Sequence, residues 1–161
     1  LQIVSKVEFK EYWGNILNDL HRVTLSMAIL DITDKAITEG DPHPELFSTL
    51  IQVFKAYNVN KNNPSLLFWY YECALLTHLG FRPDLHEKEL PGLVLPDPNS
   101  GPNSGVILAS LLAGDISNLP IDKITKTDRR IISKYLWLLL CYHFEDLIKT
   151  KSIEVAKEIL N

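Results

Sequence analysis

Few residues in this 161-residue chain have the types and spacing that chemistry needs. The densest set of possible metal ligands is Asp84 with His86-Glu87-Lys88-Glu89. No second pair stands at zinc-site spacing, so these residues read as a solvated loop and no metal site is expected. Cys73 and Cys141 sit in apolar runs, where a thiol packs as a small hydrophobe. His78 and His143 lie in apolar helical stretches and read as core or near-core side chains. Glu72 is the lone acid in the apolar run from Pro64 to Leu79, where it needs a partner. A structural ion pair is expected there rather than a general base. The chain has no G-x-S-x-G, G-x-G-x-x-G or G-K-[ST] motif, so nothing supports an enzyme.

The second constellation is basic. Lys123, Lys126, Arg129, Arg130 and Lys134 face only Asp122 and Asp128 nearby. Residues 121–161 carry 8 Lys/Arg against 6 Asp/Glu, while residues 1–120 carry 8 against 14. The net charge of −4 argues against a protein that grips nucleic acid over its whole surface. An acidic body with a locally basic end is instead suited to a small acidic partner.

The elements that must position these residues are helical. Phe9, Trp13, Ile16, Leu20, Val23, Met27 and Leu30 step by four and three, which predicts one helix from Glu8 to about Thr38 with a narrow apolar seam. Gly40-Asp41-Pro42 ends it, and His43-Pro44 opens a second helix that buries Leu46, Phe47, Leu50, Ile51 and Phe54. Asn63-Pro64 opens a third, running to Leu79 and apolar on every side, which belongs in the middle of a bundle. Pro and Gly crowd residues 83–105, which read as a mobile surface loop. A short helix over Val106–Leu112 follows. Thr127-Asp128 is expected to cap a long helix from Arg129 to about Asp146, and Ser152 a last turn or two ending at Leu160. The expected fold is all-α, a bundle of about five to six helices with one long Pro/Gly-rich loop.

Composition sets the outer bounds. At 46% apolar and 22% charged residues the chain can offset its ordering entropy, and its length fits one domain. Two cysteines far apart point to a reducing, cytoplasmic setting rather than a disulfide scaffold. The longest apolar stretch, Tyr135 to Phe144, is half of the about 20 residues that cross a bilayer, so no membrane partner is expected. A start at Leu1, with Leu1-Gln2-Ile3-Val4 reading as the end of a strand, points to a fragment.

The order of pieces resembles the C-terminal helical domain of the RecO family of bacterial recombination mediators. Gly40-Asp41-Pro42-His43-Pro44-Glu45-Leu46-Phe47 looks like the family's turn into its next helix. The stretch from Glu72 to Leu85, a Leu-rich helix running into Leu79-Gly80-Phe81-Arg82-Pro83-Asp84-Leu85, resembles the family's L-G-[YF]-x-P-x-L pattern. Leu111-Leu112-Ala113-Gly114-Asp115 and Lys151-Ser152-Ile153-Glu154-Val155 fit as well. Many members bind zinc through C-x-x-C pairs; in that register this chain has Lys88-Glu89-Leu90-Pro91, so the zinc site is lost and loop 86–105 stands in place of the zinc lobe. The resemblance makes residues 1–7 the end of an otherwise missing OB-fold barrel or a linker, and residues 8–161 the helical domain.

What the resemblance implies is a non-catalytic scaffold for recombinational DNA repair. It would dock the acidic, Phe-terminated tail of single-stranded-DNA-binding protein and, with RecR, support strand annealing and RecA loading. Single-stranded DNA would be met mainly through the missing barrel. Such a tail needs cations and an apolar pocket. Arg129, Arg130 and Lys134 are expected to supply the first, and Trp69 and Cys73 the second, on two helices packed side by side. Lys123, Lys126, Lys149 and Lys151 are the expected DNA contacts. The alternative is a helical partner-binding or dimerisation module built on the seam from Phe9 to Leu30, with no nucleic-acid role.

Overall fold

The computed structural model describes residues 6–8, 10–59, 63–87, 89–120, 123–149 and 151–160, apart from the side chain of Lys149. The expected strand at Leu1–Val4, Phe9 and Lys88 lie outside these. The described residues form a bundle of seven α-helices: α1 (Gly14–Leu17), α2 (Leu20–Ala36), α3 (Pro44–Val59), α4 (Pro64–His78), α5 (Ser104–Leu112), α6 (Lys126–His143) and α7 (Lys151–Leu160). Between α4 and α5 lies a minimal hairpin, β1 (Glu89–Leu90) against β2 (Leu93–Val94). The fold is mostly α, as its sequence predicts. No helix among the described residues is long and apolar enough to cross a membrane.

Helix α4 is the axis. Asn63 caps it by accepting the Ser65 N–H at 3.0 Å, and Pro64 takes the first position, where a missing N–H costs nothing. Its buried residues run almost unbroken from Ser65 to Cys73, and α2, α3, α5 and α6 surround it.

The seam fails on α2. The backbone breaks at Asn18–Asp19, where Asp19 accepts the Arg22 N–H and starts a new helix. That break rotates the inner face to Leu25, Ala28, Ile29 and Ile32, all fully buried. Leu20, Met27 and Leu30 are left 76%, 52% and 41% exposed. Small Ala28 and β-branched Ile29 and Ile32 fit the close approach to α4. Arg22 turns inward, its guanidinium donating to the Tyr57 carbonyl and pairing with Asp19 at 3.2 Å. On α3, Leu46, Leu50 and Phe54 are buried as expected, but Phe47 points outward.

The Pro/Gly-rich segment is packed down, contrary to its reading as a free excursion. Pro91-Gly92 makes the hairpin turn, with Gly92 at φ +81°. Leu95 and Pro98 are buried, and the Ser104 hydroxyl donates to the Pro98 carbonyl at 2.5 Å. Asp128, fully buried, accepts the Asn103 N–H at 2.8 Å and so ties the loop to α6. The cap of α6 is therefore Thr125, not Thr127-Asp128. The Thr125 hydroxyl accepts the Asp128 N–H while the Asp128 carboxylate accepts the Thr125 N–H, a reciprocal capping box. Helix α7 runs ten residues, longer than the expected turn or two, and Ser152 within it donates to the Asp31 carboxylate on α2.

Candidate functional site

The capping box fixes where the residues of α6 point. Arg130, Ser133, Lys134 and Trp137 follow at steps of three and four, so they share one face. Helix α7 lies beside that face, and the Lys157 ammonium sits 3.6 Å from the centre of the Trp137 indole. These five residues line a groove of about 220 Å³. Arg130 and Lys134 also line an adjoining hollow of about 430 Å³ with Pro96, Ser100, Thr127 and Ile131. Among the described residues no carboxylate lines either hollow. The result is a basic shelf with an indole at one end.

Partial burial lowers the Lys157 pKa, and the face of the indole returns part of the lost hydration. A cation held this way keeps its charge and stays within reach of a new anionic partner. Ser133 already accepts the Trp69 indole N–H at 3.2 Å, and no histidine or thiol lines the groove among the described residues. No group of three or more metal-binding side chains occurs among the described residues.

The expected site residues divide. Helices α4 and α6 do pack side by side, joined by the Trp69–Ser133 bond. Arg130 and Lys134 come together as expected. Trp69 and Cys73, however, are buried in the core and line neither hollow. Cys73 borders a different cleft of about 400 Å³ between α3, α4 and α5, where Glu45 faces His78 at 3.5 Å and Arg82 caps the end of α5 through the Leu112 carbonyl. Arg129 turns away from the shelf and donates to Ser65 at 3.0 Å. Lys123 and Lys126 are exposed just before and at the start of α6, whereas Lys151 follows its far end, a helix length of about 27 Å away. The lysines therefore form no single patch. The side chain of Lys149 lies outside the described residues.

Among the described residues Glu72 has no ion pair: it is 3% exposed, and its Oε2 has no hydrogen-bond partner among them. Burial pushes its carboxyl well above the usual range, with Lys157 as the weaker opposing influence.

Two residues escape sequence reasoning. Trp137 was findable, because it continues the Arg130–Lys134 spacing by one more step. Lys157 was not, because only the packing of α7 brings it to Trp137.

Comparison with known proteins adds a family. The family model described as recombination protein O C terminal matches residues 17–151. The chain is similar to DNA repair protein RecO of Syntrophomonas wolfei subsp. wolfei, 27% identical over 92 residues, which are 57% of this chain and 36% of that protein. It is similar to DNA repair protein RecO of Desulforamulus reducens, 32% identical over 85 residues, covering 53% of this chain and 32% of the relative. For that of Desulfitobacterium hafniense the figures are 31% over 87 residues, 54% and 31%. The match spans about a third of the length of each relative. No solved structure matches the chain. With the family match running in full through five of the seven helices, α2 to α6, this chain belongs to the RecO C-terminal family.

Proposed function

We propose that this chain is the helical domain of a RecO-type mediator of recombinational DNA repair, a non-catalytic scaffold and docking module. Its ligand on this reading is the acidic, aromatic-terminated tail of single-stranded-DNA-binding protein. With RecR, the whole protein would support strand annealing and RecA loading. Single-stranded DNA contact would fall mainly to the OB-fold barrel that the family places before this domain, with Lys123 and Lys126 adding charge beside the shelf.

The observation that carries the reading is the Trp137 groove. It offers an aromatic surface for a terminal ring and three cations, Arg130, Lys134 and Lys157, for carboxylates, with no acid among the described residues that line it. Titration of the tail peptide into wild type and Arg130→Ala/Lys134→Ala tests it. Each charge-assisted contact removed is expected to cost about 1–3 kcal/mol of binding. Equal affinity would contradict the reading.

A second reading rests on the outward stripe of Leu20, Met27 and Leu30 on α2. Three large apolar side chains on one solvent face suit a protein partner or a second copy of the chain.

A further inference from the structure

The Trp137 groove leaves one adjoining feature unused, the buried carboxyl of Glu72. Next to the groove lies a small space of about 10 Å³, room for one water molecule. Glu72 borders it together with Phe68, Ser133, Trp137 and Lys157. Ser133, Trp137 and Lys157 border both this space and the groove, so the Lys157 side chain is part of the wall between them. The carboxyl has an unpartnered oxygen on one side of that wall, and the ammonium rests on the indole.

We propose that Glu72 is a positioning residue for Lys157: protonated, it leaves the ammonium on Trp137 where a ligand carboxylate meets it, and ionised, it draws the ammonium inward and out of the groove. This rests on the tail-docking reading of the same groove. The physical reason is that an isolated buried charge is far more costly than one paired with a cation, and Lys157 is the cation whose charge acts on this carboxyl.

The groups around Glu72 leave it as the one that changes charge. From α7 it faces Lys157, whose own outer neighbour is the exposed Glu154. From α6 it is felt by the Cys141 thiol, which burial pushes up to about 11. From α3 it is felt by the Tyr57 phenol, raised by burial despite Arg22 of α2 behind it. On α4 itself the Cys73 thiol is raised by burial, with Arg82 opposing. Helix α5 carries no titratable residue. Burial pushes the thiols and the phenol up, away from their charged forms, which leaves the Glu72 carboxyl as the group whose charge can change beside Lys157. Peptide carboxylates are already ionised above the usual carboxylate range.

The test uses the whole chain and two readouts between about pH 6 and pH 9. The first is affinity for an acidic peptide ending in phenylalanine. The second is the fluorescence of Trp137 in the free protein, taken as the difference from Trp137→Phe. Wild-type affinity is expected to fall about tenfold toward high pH, with a matching transition in Trp137 emission. Glu72→Gln, isosteric and always neutral, is expected to lack the transition and to keep one affinity throughout. Lys157→Met, which has no ammonium to move, is expected to bind weakly at every pH. Identical pH profiles for wild type and Glu72→Gln, or a wild-type affinity that does not change with pH, would overturn the proposal. A Glu72-dependent emission transition in a protein that binds no peptide would uphold the positioning and sink the docking reading. Peptide binding without such a transition would do the reverse.

Discussion

The Lys157 ammonium on α7 lies 3.6 Å from the centre of the Trp137 indole on α6. This contact joins the C-terminal helix to the basic shelf and places three cations around one half-buried aromatic side chain. It also separates two tryptophans that the sequence does not distinguish.

Trp69 and Trp137 are expected to respond oppositely to substitution. Trp69 is fully buried, so Trp69→Ala should cost about 3–5 kcal/mol of folding stability. Trp137→Ala should cost the fold far less yet lower peptide affinity about tenfold or more. Chemical denaturation and peptide titration on the same two proteins check both halves.

Asp128 holds the loop to α6, and its removal should be felt in both. Burial pushes its carboxyl up, but hydrogen bonds from the Thr125 hydroxyl and the Asn103, Thr125 and Ser104 backbone outweigh this and hold it below its ordinary 3.8. A carboxyl lowered by folding contributes stability that is complete above its unfolded value and is lost as pH falls through the lower folded one. Asp128→Asn should therefore destabilise by about 1–3 kcal/mol at neutral pH. Its deficit relative to wild type should shrink below about pH 4. Thermal melts across pH measure this.

Two glycines of the same loop should behave differently when changed to alanine. At Gly101 an added Cβ would stand 2.8 Å from Asp128 Oδ1 and 2.7 Å from Ser104 Oγ, so Gly101→Ala should cost about 1–3 kcal/mol by overpacking. Gly92 has open space around it but a φ of +81°, so Gly92→Ala should cost only about 1–2 kcal/mol of backbone strain. Denaturant midpoints of the two variants give the comparison, and loop proteolysis should rise for Gly101→Ala alone.

The outward stripe on α2 separates surface from core. Leu20→Glu should change monomer stability by no more than about 0.5 kcal/mol, whereas Ile29→Ala, on the inner face, should cost about 2–5 kcal/mol. Sedimentation of wild type and Leu20→Glu then tests the partner surface. A wild-type dimer lost in the variant supports a second copy on this face, and two identical monomers exclude it.

How much of this was legible depends on whether the signal is local. Helix α4 could be read because a run from Leu66 to Leu76 that is almost free of polar side chains has only one home, and Asn63-Pro64 marks its start. The seam on α2 misled because Leu20, Met27 and Leu30 satisfy the helical period as well as Leu25, Ala28 and Ile32 do. Only the break at Asn18–Asp19 decides which stripe turns inward. The α6 cap was misplaced by two residues because Thr125 and Thr127-Asp128 are both acceptable caps, and the buried hydrogen bonds of Asp128 choose between them. The two halves of the site differ in the same way. Arg130, Lys134 and Trp137 share one helix and one period, but Lys157 joins them across 20 residues of sequence through the packing of α7. Trp69 and Cys73 were mistaken for pocket walls because an all-apolar helix shows no hint of which side is covered.

The docking claim is met most directly by following the three tryptophan indole N–H resonances while an acidic, Phe-terminated peptide is added. The account predicts that the Trp137 resonance moves to saturation and that of Trp13, packed against Phe54 beside α1, stays fixed. It also predicts that the response is lost in Arg130→Ala/Lys134→Ala. A Trp137 resonance that stays in place while the peptide is bound elsewhere would contradict it.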